Sequence, residues 1–124
     1  MPKVLVVDDE LLIRDLLYDF FSSRNYEIIL AESGTKALDI LGTEDIDLVL
    51  TDLKMPDMDG LEMVKRAKTE KNCPPVIIMT GFPSIDSAIE AIRLKVSDYI
   101  VKPFNINRLF ESIESVLEEK VVVG

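Results

Sequence analysis

The length and composition of the chain fit one compact domain. It has 124 residues, of which 48% are hydrophobic, enough for a sizeable core. Its formal net charge of -9 disfavours binding to nucleic acid phosphates, and no apolar run approaches the roughly 18 residues that cross a bilayer. We therefore expect a cytoplasmic protein that binds cations or basic partner surfaces rather than membranes or nucleic acids.

Two residue types that often carry chemistry are scarce. Histidine is absent from the sequence, and Cys73 is the only cysteine. Imidazole bases, imidazole metal ligands, internal disulfides and thiolate metal clusters are thereby excluded. Oxygen ligands are left as the natural chemistry for any bound ion.

Apolar runs of strand length alternate with stretches of helical period, which is typical of a βαβ architecture with a parallel sheet. The first half of the chain predicts three strands and two helices, in the order strand 3–7, helix 11–23, strand 26–31, helix 34–41 and strand 46–50. Ser33 and Gly34 open the second helix. Gly42 is predicted to close it in the left-handed conformation that favours glycine.

The second half of the chain begins with a loop at residues 52–60, where Asp, Pro and Gly are concentrated. The predicted elements that follow are a helix from Gly60 to about Glu70, a strand at 75–79, a helix capped by Ser84, a strand at 99–101 and a helix capped by Asn107. The helix after Ser84 has an apolar face formed by Ile85, Ala88, Ile89 and Ile92.

These elements predict an α/β fold in which five parallel strands form a doubly wound (βα)5 sheet. Right-handed crossovers and helices on both faces allow few strand orders, and the flavodoxin-like order 2-1-3-4-5 is a common one. We assign residues 1–120 to one domain and residues 121–124 to a C-terminal tail or the start of a linker.

Polar side chains stand where four of the predicted strands end. They are Asp8, Asp9, Asp52, Thr80 and Lys102. The carboxyl ends of parallel strands share one edge of the sheet, where open α/β sheets place their ligand sites. Three crowded carboxylates repel one another unless a cation compensates them, and Mg²⁺ prefers such oxygen ligands. The sequence therefore predicts a Mg²⁺ site, with Mn²⁺ as an alternative ion.

The predicted site suits phosphoryl transfer, a reaction that needs mostly positioning and charge neutralisation. Asp52 would be the nucleophile, because carboxylates can form aspartyl phosphates. Asp9 and Asp52 could bind the metal directly, and Asp8 directly or through water. Lys102 would supply a mobile positive charge and Thr80 a hydroxyl donor.

Each of these residues also has an ordinary structural interpretation. Asp8 and Asp9 could simply cap the first helix, and Asp52 could be a loop carboxylate. Thr80 and Lys102, taken alone, would be a strand-end hydroxyl and a solvated surface charge. Their joint placement at one sheet edge favours the functional interpretation.

The chain resembles the receiver domain of two-component response regulators over nearly its whole length. The matching stretches are VVDDE at 6–10, TDLKMPDMDG at 51–60, MTG at 79–81 and DYIVKPF at 98–104. Each stretch is weak alone, but together, in order and at strand ends, they are highly specific.

The resemblance implies that Asp52 takes a phosphoryl group from the phosphohistidine of a sensor histidine kinase. The residues that would organise Mg²⁺ are Asp8, Asp9, Asp52 and Lys54, the last through its backbone carbonyl. Lys102 would contact the phosphoryl group, and the peptide bond between Lys102 and Pro103 would be cis, an isomer that proline makes accessible.

The resemblance also implies a switch. Thr80 corresponds to the hydroxyl that moves toward the phosphate, and Tyr99 to the aromatic residue that turns inward with it. The surface of the fourth helix, fifth strand and fifth helix would then change for an effector domain, a partner protein or a second copy of the domain. Such a domain is not a turnover enzyme, because it catalyses only its own phosphorylation and dephosphorylation.

Residues 80–104 look most like receivers attached to ATP-driven, NtrC-type activators of alternative-sigma-factor transcription. The alternative is a free-standing receiver that docks on a partner, and no DNA-binding motif is present in either case. Two other functions stay open, a Mg²⁺-dependent phosphohydrolase with an aspartyl nucleophile and a phosphorylation-independent interaction module. The adjacent Asp8 and Asp9 disfavour the first, and the full set of acids, hydroxyl and lysine disfavours the second.

Overall fold

The five predicted strands form one parallel sheet in the order β2-β1-β3-β4-β5, as expected. The structure is a computed structural model that describes residues 1–69 and 73–123, with side chains described through residue 119. The strands are β1 (Lys3–Val7), β2 (Glu27–Ala31), β3 (Leu48–Asp52), β4 (Val76–Thr80) and β5 (Asp98–Val101). The helices are α1 (Leu11–Ser22), α2 (Gly34–Thr43), α3 (Gly60–Ala67), α4 (Ile85–Arg93) and α5 (Ile106–Val123).

The hydrophobic core has two halves, one on each face of the sheet. Successive side chains of a strand point to opposite faces, so Val4 and Val6 pack with α1 and α5, whereas Leu5 and Val7 pack with α2 and α3. Strands β3 and β4 are buried along their whole length. Burial on both faces explains why these strands are continuous apolar runs rather than alternating ones.

Two strands end later than the sequence predicts. β3 runs to Asp52 and β4 runs to Thr80, so both polar residues belong to strands rather than to the loops behind them. The cause is pairing across the sheet, because Asp52 lies opposite Met79 and Thr80 lies opposite Val101. A polar residue thus continues each strand beyond the apolar run that predicts it.

The prediction that Gly42 closes α2 is wrong. Gly42 lies within the helix, which continues to Thr43, and none of the described glycines has a positive φ. The chain leaves α2 through Glu44, whose extended backbone (φ -119°) still lets its amide bond the carbonyl of Ile40 at 2.9 Å. An extended residue therefore replaces the expected left-handed one.

The cap predicted for α5 is two residues away from the observed one. The side chain of Asn105, not Asn107, accepts hydrogen bonds from the amides of Asn107 and Arg108, at 2.9 and 3.3 Å. Either asparagine suits the N-cap position chemically, and the helix starts directly after the earlier one, Asn105. Ser33 and Ser84 cap α2 and α4, the second as predicted. α3 ends at Ala67, and its predicted end at Glu70 lies outside the described residues.

The turn after α4 requires a left-handed residue, and a lysine occupies it. Lys95 has φ 59°, its amide bonds the carbonyl of Ile92, and the amide of Val96 bonds the carbonyl of Ala91. This pair of bonds is the Schellman motif, in which glycine is the preferred residue. The turn therefore carries a small conformational cost.

The predicted apolar face of α4 lies mostly in solvent. Ile85, Ile89 and Ile92 are exposed, while Ala91 is the buried residue of this helix. Within the described part of the chain, no helix combines the length and apolar character needed to cross a membrane.

Candidate phosphoryl-transfer site

Three strand ends bring the central residues of the predicted site together. Asp8 follows β1 directly, Asp52 is the last residue of β3, and Lys102 follows β5. The register of β1 and β3 pairs Val7 with Thr51, which sets Asp8 beside Asp52. Residues 44 positions apart in the sequence thus become neighbours because the strands are parallel and in register.

The ammonium group of Lys102 lies between the carboxylates. Its Nζ donates to Asp8 Oδ2 at 2.9 Å and to Asp52 Oδ2 at 3.0 Å, and it lies 3.5 Å from Glu10 Oε1. The side chains of Asp8 and Asp52 are 0% and 7% exposed, and that of Lys102 is 12% exposed. Such charge-assisted contacts in a poorly solvated place are strong and orient the groups.

Asp8 and Lys102 both have raised pKa values, for different reasons. Burial raises the pKa of Asp8, although the hydrogen bonds from Lys102 and from the amide of Glu10 oppose that shift. For Lys102, burial alone would lower the pKa, but the hydrogen bonds and charges of Asp8 and Asp52 outweigh it and raise the pKa. The ammonium form is therefore stabilised near neutral pH.

The donor set fits a hard divalent cation. Carboxylate oxygens of Asp8, Glu10 and Asp52 lie within 4.8 Å of one another. Three carboxylates and one ammonium leave a formal charge of about -2, which one Mg²⁺ would balance with the oxygen ligands it prefers. The observed cluster therefore supports the predicted metal site.

The composition of the carboxylate cluster differs from the predicted one. Asp9 is exposed and is not among the carboxylates that the described residues bring within 4.8 Å of one another, whereas Glu10 is. Sequence reasoning missed Glu10, whose amide bonds Asp8 Oδ1 at 2.9 Å. Only the position of Glu10, two residues after Asp8, could have suggested that its carboxylate joins the cluster. Lys54 is exposed in the loop after β3, and the metal role of its carbonyl stays a prediction.

Thr80 is fully buried at the end of β4, the strand next to Asp52. Its hydroxyl oxygen accepts the amide hydrogen of Phe82 at 3.0 Å, and its carbonyl accepts the amide of Lys102 at 2.7 Å. The peptide bond between Lys102 and Pro103 is cis. The backbone thus ties the hydroxyl residue to the lysine residue.

Tyr99 is half-buried in β5, and its hydroxyl contacts α4. The Tyr99 oxygen lies 2.6 Å from Ser87 Oγ, and Ser87 is itself held by the capping residue Ser84, whose Oγ accepts the Ser87 amide at 3.0 Å. The sequence did not predict the role of Ser87, because a serine in the first turn of a helix has no distinctive pattern around it. The predicted switch residue is therefore connected to the start of α4.

The curated relatives of the chain include a protein of similar length and regulators that are much longer. The chain is 39% identical over 118 residues to sporulation initiation phosphotransferase F of Bacillus subtilis, and the alignment covers 95% of each. It is 34% identical to the regulatory protein AtoC of Escherichia coli and 38% to the transcriptional regulatory protein ZraR of Klebsiella oxytoca. The chain spans only about a quarter of these two regulators. The expected likeness to receivers of alternative-sigma-factor activators is confirmed.

Solved structures and the family model agree with the fold. A CheY-like response regulator receiver domain protein from Methanospirillum hungatei is 29% identical, with a TM-score of 0.96 over 100% of this chain and 99% of that one. The response regulator TrrA from Thermotoga maritima, in complex with Mg²⁺ and BeF, is 34% identical, with a TM-score of 0.84 over 94% and 99%. The model of the response regulator receiver domain matches residues 4–114. The chain belongs to the response regulator receiver domain family.

Proposed function

We propose that the chain is a phosphorylation-controlled switch that accepts a phosphoryl group on Asp52 from a sensor histidine kinase. The observation that carries this proposal is the position of Asp52, whose carboxylate lies 3.0 Å from the Lys102 ammonium beside Asp8 and Glu10. A carboxylate that neighbours an ammonium and a divalent-ion site is equipped to receive a phosphoryl group.

In the proposed transfer, an oxygen of Asp52 bonds to phosphorus while the bond between phosphorus and the kinase imidazole breaks. The bonding electrons stay with the imidazole, which takes up a proton. Lys102 can neutralise part of the negative charge that the phosphoryl group adds, because its ammonium already donates to Asp52 Oδ2. Positioning and charge neutralisation are the main requirements of this reaction, so a domain without other catalytic groups can meet them. We accordingly propose a regulatory phosphoacceptor domain rather than an enzyme that turns over a substrate.

The transfer depends on Mg²⁺, with Mn²⁺ as an alternative ion. We propose Asp8, Asp9, Asp52 and the carbonyl of Lys54 as its protein ligands. The carboxylate cluster supports Asp8 and Asp52, and the family resemblance supports the other two. When bound, the ion neutralises charge on the transferring phosphoryl group.

Thr80 and Tyr99 would transmit the change in phosphorylation from the site to the surface. Phosphorylation would draw Thr80 toward Asp52 and Tyr99 away from Ser87, which changes the surface formed by α4, β5 and α5. Several apolar side chains on this surface are exposed, namely Ile85, Ile89, Ile92 and Val101. Changing the ratio of switched to unswitched protein from 1:99 to 99:1 requires about 5.5 kcal/mol of differential stabilisation. Several charge-assisted hydrogen bonds to the phosphoryl group could supply this free energy.

We propose that an effector domain, a partner protein or a second copy of the domain reads this surface, the last as a homodimer, and that the output is transcriptional. The names of AtoC and ZraR as regulatory proteins support this output. In such a protein the receiver would comprise residues 1–120 and would act in the cytoplasm. Residues 121–124 would be a C-terminal tail or the start of a linker, and α5 continues into this segment as far as Val123. The domain itself would bind neither membranes nor nucleic acid, in keeping with its charge of -9. The alternative is a free-standing receiver, in line with the 95% coverage of phosphotransferase F.

A beryllofluoride titration tests the proposed function. With Mg²⁺ present, beryllofluoride mimics a phosphorylated carboxylate and is expected to raise the melting temperature of the wild-type protein. Neither Asp52→Asn nor the wild type without Mg²⁺ should show this shift. An equal shift in Asp52→Asn, or no shift in the wild type, would refute the proposal.

A further inference from the structure

The loop between β3 and α3, residues 53–59, returns at its C-terminal end to the end of β3. The amide of Gly60 bonds the carbonyl of Leu53 at 2.7 Å. A Cβ atom at Gly60 would lie 2.2 Å from the carbonyl oxygen of Asp52, so only glycine allows this approach. The loop contains Lys54, whose carbonyl is a proposed ligand of Mg²⁺.

A second attachment joins the loop to the start of α2 through the carboxylate of Asp57. Oδ1 of Asp57 accepts the amides of Gly34 and Met58, at 3.2 and 2.9 Å. Oδ2 accepts the amide of Thr35 at 2.9 Å and also the Thr35 hydroxyl. These bonds, above all that of the Thr35 hydroxyl, lower the pKa of Asp57 to about 2. The residue is therefore a carboxylate at neutral pH, the charge that a helix N-terminus favours.

Apolar packing strengthens the same attachment. A Cβ atom at Gly34 would lie 2.4 Å from Cγ and 2.9 Å from Sδ of Met58. The Met58 side chain therefore occupies the space that any other residue at position 34 would need. Adjacent residues of the loop, Asp57 and Met58, thus hold the first turn of α2 by polar and apolar contacts at once.

Asp57 cannot be explained as part of the carboxylate cluster. The cluster of the described residues consists of Asp8, Glu10 and Asp52, and the Asp57 oxygens are directed to α2 instead. Its contacts fix the loop that carries Lys54 before any metal binds. A ligand group that is already ordered binds more tightly, because less conformational freedom is lost on binding.

We propose that Asp57 is a positioning residue for the metal site, which holds the Lys54 carbonyl in place by clamping the β3–α3 loop to α2. The inference rests on the proposed function, because it concerns the Mg²⁺ that this function requires. The clamp joins Gly34 and Thr35 of α2 to the loop that carries Lys54, although no residue of α2 is a proposed ligand.

Isothermal titration calorimetry with Mg²⁺ alone tests the clamp. Asp57→Ala is expected to weaken Mg²⁺ binding about tenfold, the lower end of the effect of groups that orient metal ligands. Asp57→Asn keeps one acceptor oxygen and should give an intermediate affinity. The matched control is Ser33→Ala, which removes the Ser33 bond to the Lys36 amide (3.2 Å) at the same helix end without touching the loop. It should keep the wild-type affinity at a comparable loss of melting temperature.

Hydrogen exchange of the metal-free protein supplies a second measurement. The backbone amides of residues 53–55 and 57–59, and that of Thr35, should exchange faster in Asp57→Ala than in Ser33→Ala. Wild-type affinity in Asp57→Ala, or an equal loss in Ser33→Ala, would overturn the clamp while leaving the proposed function intact. A wild type that binds no Mg²⁺, or an unchanged affinity in Asp52→Asn, would instead count against the proposed function and the clamp together.

Discussion

At the scale of single residues, Lys102 determines the electrostatics of the site. It contacts both buried carboxylates, and the described structure gives Asp8 and Asp52 no other ion pair. A buried charge without a partner is costly, whereas a divalent cation can take the place of the ammonium. Lys102 and Mg²⁺ should therefore substitute for each other in stabilising the folded protein.

Replacing Lys102 by methionine tests this relation. Without metal, Lys102→Met should lower the free energy of unfolding by about 3 kcal/mol, because two buried carboxylates lose their counter-charge. Millimolar Mg²⁺ should restore a large part of that loss, since an ion that binds only the folded state stabilises it. Urea denaturation with and without Mg²⁺ measures both effects. Lys65→Met, at an exposed lysine of α3, should show neither, and an equal response of both variants would contradict the account.

A second residue-scale prediction concerns Tyr26 at high pH. Burial, followed by the charge and hydrogen bond of Glu114 at 3.4 Å, raises the pKa of Tyr26 to about 12. The folded protein then keeps a proton that the unfolded chain loses near pH 10. The free energy of unfolding should consequently fall as pH rises from about 10 toward 12, and this part of the fall should be missing in Tyr26→Phe.

The measurement is urea denaturation across this pH range. Tyr18→Phe removes the hydroxyl of an exposed tyrosine of α1 and is the matched control, for which the wild-type dependence is expected. Parallel curves for Tyr26→Phe and the wild type would show that Glu114 and burial do not govern this titration.

At the scale of secondary structure, local patterns predict the elements better than their ends. Apolar runs place β1 correctly and locate β3 and β4, but β3 begins at Leu48 rather than at residue 46. The last residues of β3 and β4 depend on partners in other strands. The cap of α5 shows the same limit, because Asn105 and Asn107 carry the same local preference. Gly42 shows the reverse case, in which a suitable residue is present and the helix continues through it.

The turn after α4 gives a prediction at this scale. Lys95 holds φ 59° at a position that favours glycine, so Lys95→Gly should raise the free energy of unfolding by about 0.5 to 1 kcal/mol. The same substitution in a helix, Lys65→Gly, should lower it by about 1 kcal/mol. Chemical denaturation of both variants checks the signs. A loss of stability in Lys95→Gly would mean that the lysine side chain contributes more than its backbone conformation costs.

At the scale of the whole molecule, the sequence is sufficient for the architecture and for the central groups of the site. Alternating strands and helices leave few possible strand orders, of which the common order 2-1-3-4-5 is the observed one. This order brings Asp8, Asp52 and Lys102 together. The sequence did not reveal Glu10 as a member of the cluster or Ser87 as the partner of Tyr99. Glu10 and Ser87 lie outside the strands, so strand periodicity does not predict where their side chains point.

The clamp at Asp57 belongs to the same class of missed contacts. Its carboxylate bonds residues 22 and 23 positions earlier in the chain, across the gap between a loop and a helix. Local pattern assigns residues 52–60 to a loop, but only the packed structure shows what holds that loop. The contacts that the sequence did not predict therefore join loops and helices to other elements, outside the strand pairing of the sheet.

Mapping the modified residue decides whether Asp52 is the phosphoryl acceptor. The protein is incubated with Mg²⁺ and a small acyl phosphate, digested, and analysed by mass spectrometry for the peptide that carries one phosphoryl group. We expect a single modified residue, Asp52, and no modification without Mg²⁺ or in Asp52→Asn. A phosphoryl group on another residue, or equal labelling of Asp52→Asn, would contradict this expectation.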